Sequence, residues 1–328
     1  MAQVTGTFSS YDAVGNREDL EDVIYQITPE ETPFYSLIGS SKVKATRHDW
    51  QTDALAAPDA ANAQVEGDEY DYDAVTPTVR VANFTQISWK TVVVTETQDA
   101  VDKAGRAKEL SYQLAKKGVE LKKDIEAAML SNVASVAGND TTARVSGGFP
   151  AWLETNASRG AGGADGGYNP ATGLVEAATN GTQRAFTKAL LDDVIGQVYV
   201  SGGNPNTVML SPKNKQTFST FMSDANVAPF RNEVSPGKRQ GTIMAAADAY
   251  LSDFGLLSIV PNRVMANATL GRNIFVITPD MVERGILRPI QQDEPAKTGD
   301  ANKRVIKTEW TLIVKNEAAH GVIADVTT

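Results

Sequence analysis

Between two stretches rich in β-branched and aromatic residues lies a segment that this chain cannot bury on its own. From Asp53 to Asp73 it carries Asp53, Asp59, Glu66, Asp68, Glu69, Asp71 and Asp73, with no Lys or Arg among them. The flanks, about residues 43–53 and 78–95, read as strands. The segment is therefore the tip of a long two-stranded flap. An isolated hairpin is marginal in water at best, and like charges along the tip repel one another. Such a flap needs a surface outside itself to lie on, which directs attention to a partner.

The rest of the chain divides around that flap. Residues 1–40 read as an extended arm with one short helix at 16–27, where Leu20, Val23, Ile24 and Ile27 fall at helical spacing and Thr28-Pro29 stops it. Pro33, Phe34, Tyr35, Leu37 and Ile38 follow as an apolar anchor. Residues 98–135 carry the strongest helical pattern, with Leu110, Leu114, Leu121, Ile125, Ala128 and Val133 in phase. A helix of that length is a rod of roughly 50 Å. Lys116, Lys117, Lys122 and Lys123 occupy its other faces. Ten of the 26 glycines fall in 138–181, which reads as a loop-rich insertion.

Residues 186–290 read as a compact α/β unit. A helix over 186–200 precedes a short strand at 207–210. Ser211 then caps a helix that has Pro212 at its first position. A loop at 225–241 leads to strands at 242–251, 256–261 and 273–278. Residues 303–315 alternate as one long strand, one face far more apolar than the other.

Composition narrows the chemistry. Lys and Arg number 31 against 40 Asp and Glu, a net charge of −9. That balance argues against a dedicated nucleic-acid binder, because phosphate contacts need clustered cations. The absence of cysteine removes disulfides, thiolate nucleophiles and cysteine metal sites, and fits a reducing compartment. With 41% hydrophobic residues the chain is globular. No window reaches the roughly 18 apolar residues of a membrane span, and the N-terminus has no secretion-signal pattern.

Catalytic motifs are incomplete. Ser41-x-x-Lys44 and Lys297-Thr298-Gly299 are two elements of a penicillin-binding type of serine hydrolase, but the third, S-D-N, is missing, and Ser41 precedes a strand rather than opening a helix. The run GAGGADGG at 160–167 lacks the spacing of a phosphate loop and reads as a flexible surface segment. His48 and His320 lie in unrelated segments and read as surface or packing residues. Asp68, Asp71 and Asp73 have the ligand type for a divalent cation but not the frame of a calcium loop, so they read as solvated. No catalytic, cofactor or metal set emerges, which points to a structural protein rather than an enzyme.

The order of arm, flap, long helix, α/β unit and return strand, with the strings DVIYQITPEETPFYSLIG, VRVANFTQISWKTVVVT, TVMLSPKNKQTF and GLLSIVPNR, resembles the major capsid (head) proteins of tailed bacteriophages with the Hong Kong 97-type fold. The resemblance implies an α+β fold. Residues 1–40 would be the N-terminal arm, and 43–95 an E-loop with flanking strands that reaches over a neighbouring subunit. Residues 96–185 would be a peripheral domain, with the spine helix and the 138–181 insertion. Residues 186–290 would be an axial domain meeting its copies at the centre of pentamers and hexamers, and 291–328 the return to the peripheral domain.

It further implies a subunit that assembles with itself into an icosahedral shell around double-stranded DNA, held without sequence-specific contacts. Separate scaffolding, portal and decoration proteins are the implied partners, without a membrane or cofactor. The implied location is the virion, after assembly in the host bacterial cytoplasm. An encapsulin-like compartment shell, which shares the fold, is the alternative. Some members of the fold join an E-loop lysine to a neighbour. Here no lysine lies between Lys44 and Lys90, so a covalently linked shell is not expected. The seven tip carboxylates are expected to pack near spine-helix lysines of the next subunit (Lys103, Lys108, Lys116, Lys117, Lys122, Lys123), with apolar contacts from Leu55, Val65 and Val75.

Overall fold

One strand of 14 residues, β13 (Ala301–Val314), organises half of the molecule. In the computed structural model, which describes residues 31–70, 72, 74–102, 108–221 and 248–327, it is central to a four-stranded sheet. On one side it pairs antiparallel with β12 (Val282–Asp293), which pairs parallel with β1 (Gly39–Lys42). On the other it pairs antiparallel with β4 (Gln86–Thr95), the edge strand. The main helix, α3 (Glu109–Leu130), covers one face of this sheet and buries Leu121, Ile125 and Met129, which recur at helical spacing. A short helix, α1 (Pro33–Leu37), drives Phe34 into the same core beside Phe149.

The second half is a six-stranded sheet, in the order β5 (Ala157–Ser158), β14 (Gly321–Ile323), β11 (Ile274–Ile277), β8 (Thr207–Leu210), β10 (Gly255–Pro261) and β9 (Ala249–Ser252). Helices α5 (Lys188–Val200) and α6 (Pro212–Phe221) pack on it around Leu191, Val194, Ile195 and Phe218. Thr187 caps α5, and the Ser211 hydroxyl accepts from the Asn214 N–H at the start of α6. Two ribbons complete the fold: β2 (Arg47–Thr52) with β3 (Val79–Phe84), and β6 (Gly167–Asn169) with β7 (Leu174–Glu176). The expected arm helix, the loop at 225–241 and most of the strand at 242–251 lie outside the described residues.

Four expectations need correction. The long helix is two pieces: α2 (Glu96–Ala100), and after it the 22 residues of α3, roughly 33 Å long. Val101 turns to extended backbone and ends α2, and Ser131 does the same for α3. Second, β13 does not keep one wet face. Glu309, Thr311 and Ile313 are buried as fully as Trp310 and Leu312, because residues 137–148 pack over them. Arg144 pairs with Glu309, and the Ser146 hydroxyl accepts the Leu312 N–H.

Third, the Gly-rich insertion is part of the core. The helix α4 (Phe149–Trp152) is wholly buried, and β5 enters the six-stranded sheet. A Cβ at Gly160 would lie 2.0 Å from the Thr182 carbonyl oxygen, so this glycine marks close backbone approach, not looseness. Fourth, the boundary at residue 290 falls inside β12, and the C-terminal β14 joins the six-stranded sheet between β5 and β11 instead of returning to the other one.

Candidate assembly surfaces

The flap leaves the body on the β2–β3 ribbon, whose outermost pair is Thr52 and Val79. Beyond it every described residue from 53 to 78 is exposed. Leu55 is completely so, and Tyr72 and Val75 stand more than nine-tenths open. Among the described residues the hydrogen bonds along the tip are local, such as the Ala54 N–H to Asp53 and the Ala61 N–H to Asp59. Among the described residues, no ion pair engages Asp53, Asp59, Glu66, Asp68 or Glu69. Asp71 and Asp73 lie outside the described residues.

The flap's root, by contrast, is fixed. The Asn83 side chain is buried, donates to the Leu312 carbonyl at 2.7 Å and accepts the Gly147 N–H at 2.9 Å. Thr85 donates to Glu309, which Arg144 and Arg288 also hold, at 2.7 and 2.8 Å. Burial works to raise the Glu309 carboxyl, but these donors outweigh it and keep it below the usual range. Asp49 on β2 follows the same pattern: partial burial opposes, while Arg80 and Arg47 hold it low. An aromatic column of His48, Trp50, Trp152 and Tyr168, with ring centroids 5.3 to 6.0 Å apart, leans the ribbon on α4 and β6.

The expected partner lysines sit on α3. Lys116 and Lys122 are exposed, Lys123 is partly covered, and Lys117 is taken up by Glu120 at 2.6 Å. Within one chain the structure does not pair any of them with the tip carboxylates. Lys103 lies outside the described residues.

Sequence reasoning missed the buried polar groups that lock the body. Glu126 accepts the Phe34 and Tyr35 N–H groups at 2.9 and 2.6 Å and the Asn262 amide at 2.6 Å, tying α1 to α3. Burial pushes its carboxyl up, and these three donors pull it back only in part. Asp325, with φ at 61°, accepts the Gly160 and Gly181 N–H groups at 3.0 Å each and pairs with Arg272 at 2.5 Å. His320 is buried against Phe149. Its Nδ1 accepts the Thr278 N–H, so the ring is neutral with its proton on Nε2 toward the Met281 carbonyl, and burial lowers its pKa to about 4. A charged residue beside Ile125, within the apolar stripe of α3, was the legible signal for Glu126.

None of these groups assembles a reaction centre. Ser41 lies within β1, bonded to Glu283, and Lys44 is exposed. Lys297 pairs with Glu96. Among the described residues no three of His, Asp and Glu converge as metal ligands.

A family model described as SU10 major capsid protein matches residues 3–327. The chain belongs to the SU10 major capsid protein family. It is also 31% identical over 346 residues to the major capsid protein of Escherichia phage Phieco32, covering 96% of each. Solved structures agree on the fold. The capsid of the native GTA particle aligns at a TM-score of 0.63 and 11% identity, over 97% of this chain and 98% of that one. A chain of "Phage G gp27 major capsid proteins and gp26 decoration proteins" aligns at 0.55 and 10%, over the full length of both. The SU10-family chain is thus a structural subunit of a phage head shell, with a mixed helix-and-sheet fold shared by phage capsid chains. The encapsulin and serine-hydrolase alternatives find no support.

Proposed function

We propose that this capsid subunit builds an icosahedral head of the Hong Kong 97 type around double-stranded DNA, and that its flap is the E-loop laid on a neighbouring subunit. The observation that carries this is the exposure of every described residue of the 53–78 span while its root is fixed by Asn83, Thr85 and the aromatic column. A rigid root with an unsupported, partly apolar strap suits a contact made between copies.

In this reading, the four-stranded sheet with α3 is the peripheral domain and the six-stranded sheet the axial domain, while the expected arm up to residue 30 lies outside the described residues. The tip carboxylates meet cations of the neighbour, and Lys116, Lys122 and Lys123 on α3 are one such surface, with Lys117 already engaged. The net charge of −9 suits a wall that must release its genome, since a cationic lining would hold it by counterion release. Scaffolding, portal and decoration proteins as separate chains, and assembly in the host cytoplasm, belong to the same proposal. Purified chain, alone or with a scaffolding partner, is expected to form closed shells or capsomer-sized rings in electron micrographs. A monomer at every concentration and salt would sink the reading.

A further inference from the structure

We infer that Asn180 is a deamidation site that the knot around Asp325 holds shut, so that it reacts when the knot opens. Asn180-Gly181 is the one place in the chain where glycine follows asparagine. Glycine has no Cβ to shield its backbone nitrogen, so that nitrogen can reach the asparagine side-chain carbon. A bond forms between Gly181 N and Asn180 Cγ, and the Cγ–Nδ2 bond breaks. The Gly181 N–H proton leaves with the amide nitrogen as ammonia. Water then opens the five-membered imide to aspartate, or to isoaspartate, in which the backbone runs through Cγ.

The side chain is ready for this and the nitrogen is not. Asn180 is exposed and, among the described residues, has no hydrogen-bond partner. The Gly181 N–H donates to Asp325 Oδ2 at 3.0 Å, and the Gly181 carbonyl accepts from Arg272 Nη2 at 2.8 Å. Arg272 also pairs with Asp325, which is wholly buried. On either side, Thr179 and Ala164 exchange both backbone bonds, at 2.9 and 3.1 Å, and the Thr182 N–H donates to the Ala161 carbonyl at 2.9 Å. Ring closure needs the backbone at 180–181 to rotate and the nitrogen to leave its peptide plane. These bonds resist both, so attack waits for a local opening, whose cost sets the rate. The product has no way back into the knot. Isoaspartate adds a carbon to the backbone where a Cβ on Gly181 would already run into the Gly160 carbonyl. An opening that lasts long enough is therefore recorded once, and that chain does not close again.

Purified chain is incubated in mildly alkaline buffer with and without denaturing urea, then digested in acid and followed by peptide mass spectrometry. Acid is expected at position 180 in urea, and at least about tenfold more slowly without it. Equal rates overturn the lock, as does a faster rate in the folded chain, which would make Asp325 a base. No conversion in urea overturns the site. Arg272→Gln loosens the knot, and circular dichroism checks its fold. It is expected to raise the rate in native buffer at least about threefold, with Arg272→Lys in between; a wild-type rate in a folded Arg272→Gln overturns the role of the knot. The wild-type comparison decides even where that variant does not fold. Last, chains held in urea for increasing times are diluted to refold. The refolded fraction is expected to fall in step with isoaspartate in the wild type and to hold in Asn180→Gln, whose longer side chain does not close the five-membered ring. Parallel losses in both overturn the one-way record.

Discussion

His320 shows how one residue sets the acid limit of the fold. Its folded pKa of about 4 lies below the 6.5 of an ordinary histidine. The unfolded chain therefore takes up a proton that the folded chain refuses. Stability is fully present above about pH 6.5 and falls as pH drops toward 4, by up to about 3 kcal/mol. Urea denaturation of unassembled subunit at pH 7 and pH 4.5 measures this. His320→Gln keeps an acceptor for the Thr278 N–H without titrating, and is expected to flatten that part of the slope. Glu126 faces three donors, so Glu126→Gln turns an amide toward them and is expected to cost about 1–3 kcal/mol in the same assay. The sequence made Phe34 and Ile38 legible as an anchor because burial follows hydrophobicity. It did not show what holds them, since Glu126 lies 92 residues from Phe34 and such pairing leaves no local pattern.

At the scale of elements, strands and capped helices were legible where the pattern is local. Helices α5 and α6 and strand β10 fall close to where apolar spacing, Ser211 and Pro212 put them, whereas 78–95, expected as one strand, divides at Thr85 into β3 and β4, which belong to different sheets. The insertion was misread because glycine has two uses that composition cannot separate. Gly162 has φ at +79° and open space around it, while Gly160 is pressed on the Thr182 carbonyl. Gly162→Ala is expected to cost about 1 kcal/mol, through backbone strain alone. Gly160→Ala forces backbone apart near the Asp325 knot, and is expected to cost more than about 2 kcal/mol or abolish folding. Parallel melting curves of the two variants rank them. Equal effects would mean that the insertion is loose after all.

For the whole molecule, the flap couples shape to charge. Changing Glu66, Asp68 and Glu69 to Lys is expected to slow or weaken shell formation in low salt, read by light scattering. The difference should shrink as salt screens it, because exposed pairs contribute only about 0–1 kcal/mol each. Identical assembly curves in low and high salt would leave the tip solvated. Mature particles are expected to give a single denaturing-gel band near 35.1 kDa, since no lysine lies between Lys44 and Lys90; a ladder of multimers would contradict this.

The exposed flap also bears on the fate of a subunit that finds no partner. Extended, unsupported backbone is what proteases cut first, and Leu55, Tyr70 and Tyr72 offer apolar side chains along it. A free subunit thus carries its own degradation site, and docking on a neighbour removes it. Survival becomes conditional on incorporation, so surplus chains would be cleared while finished shells persist. Brief protease treatment is expected to nick free subunits within 53–78 and to spare the same span in shells.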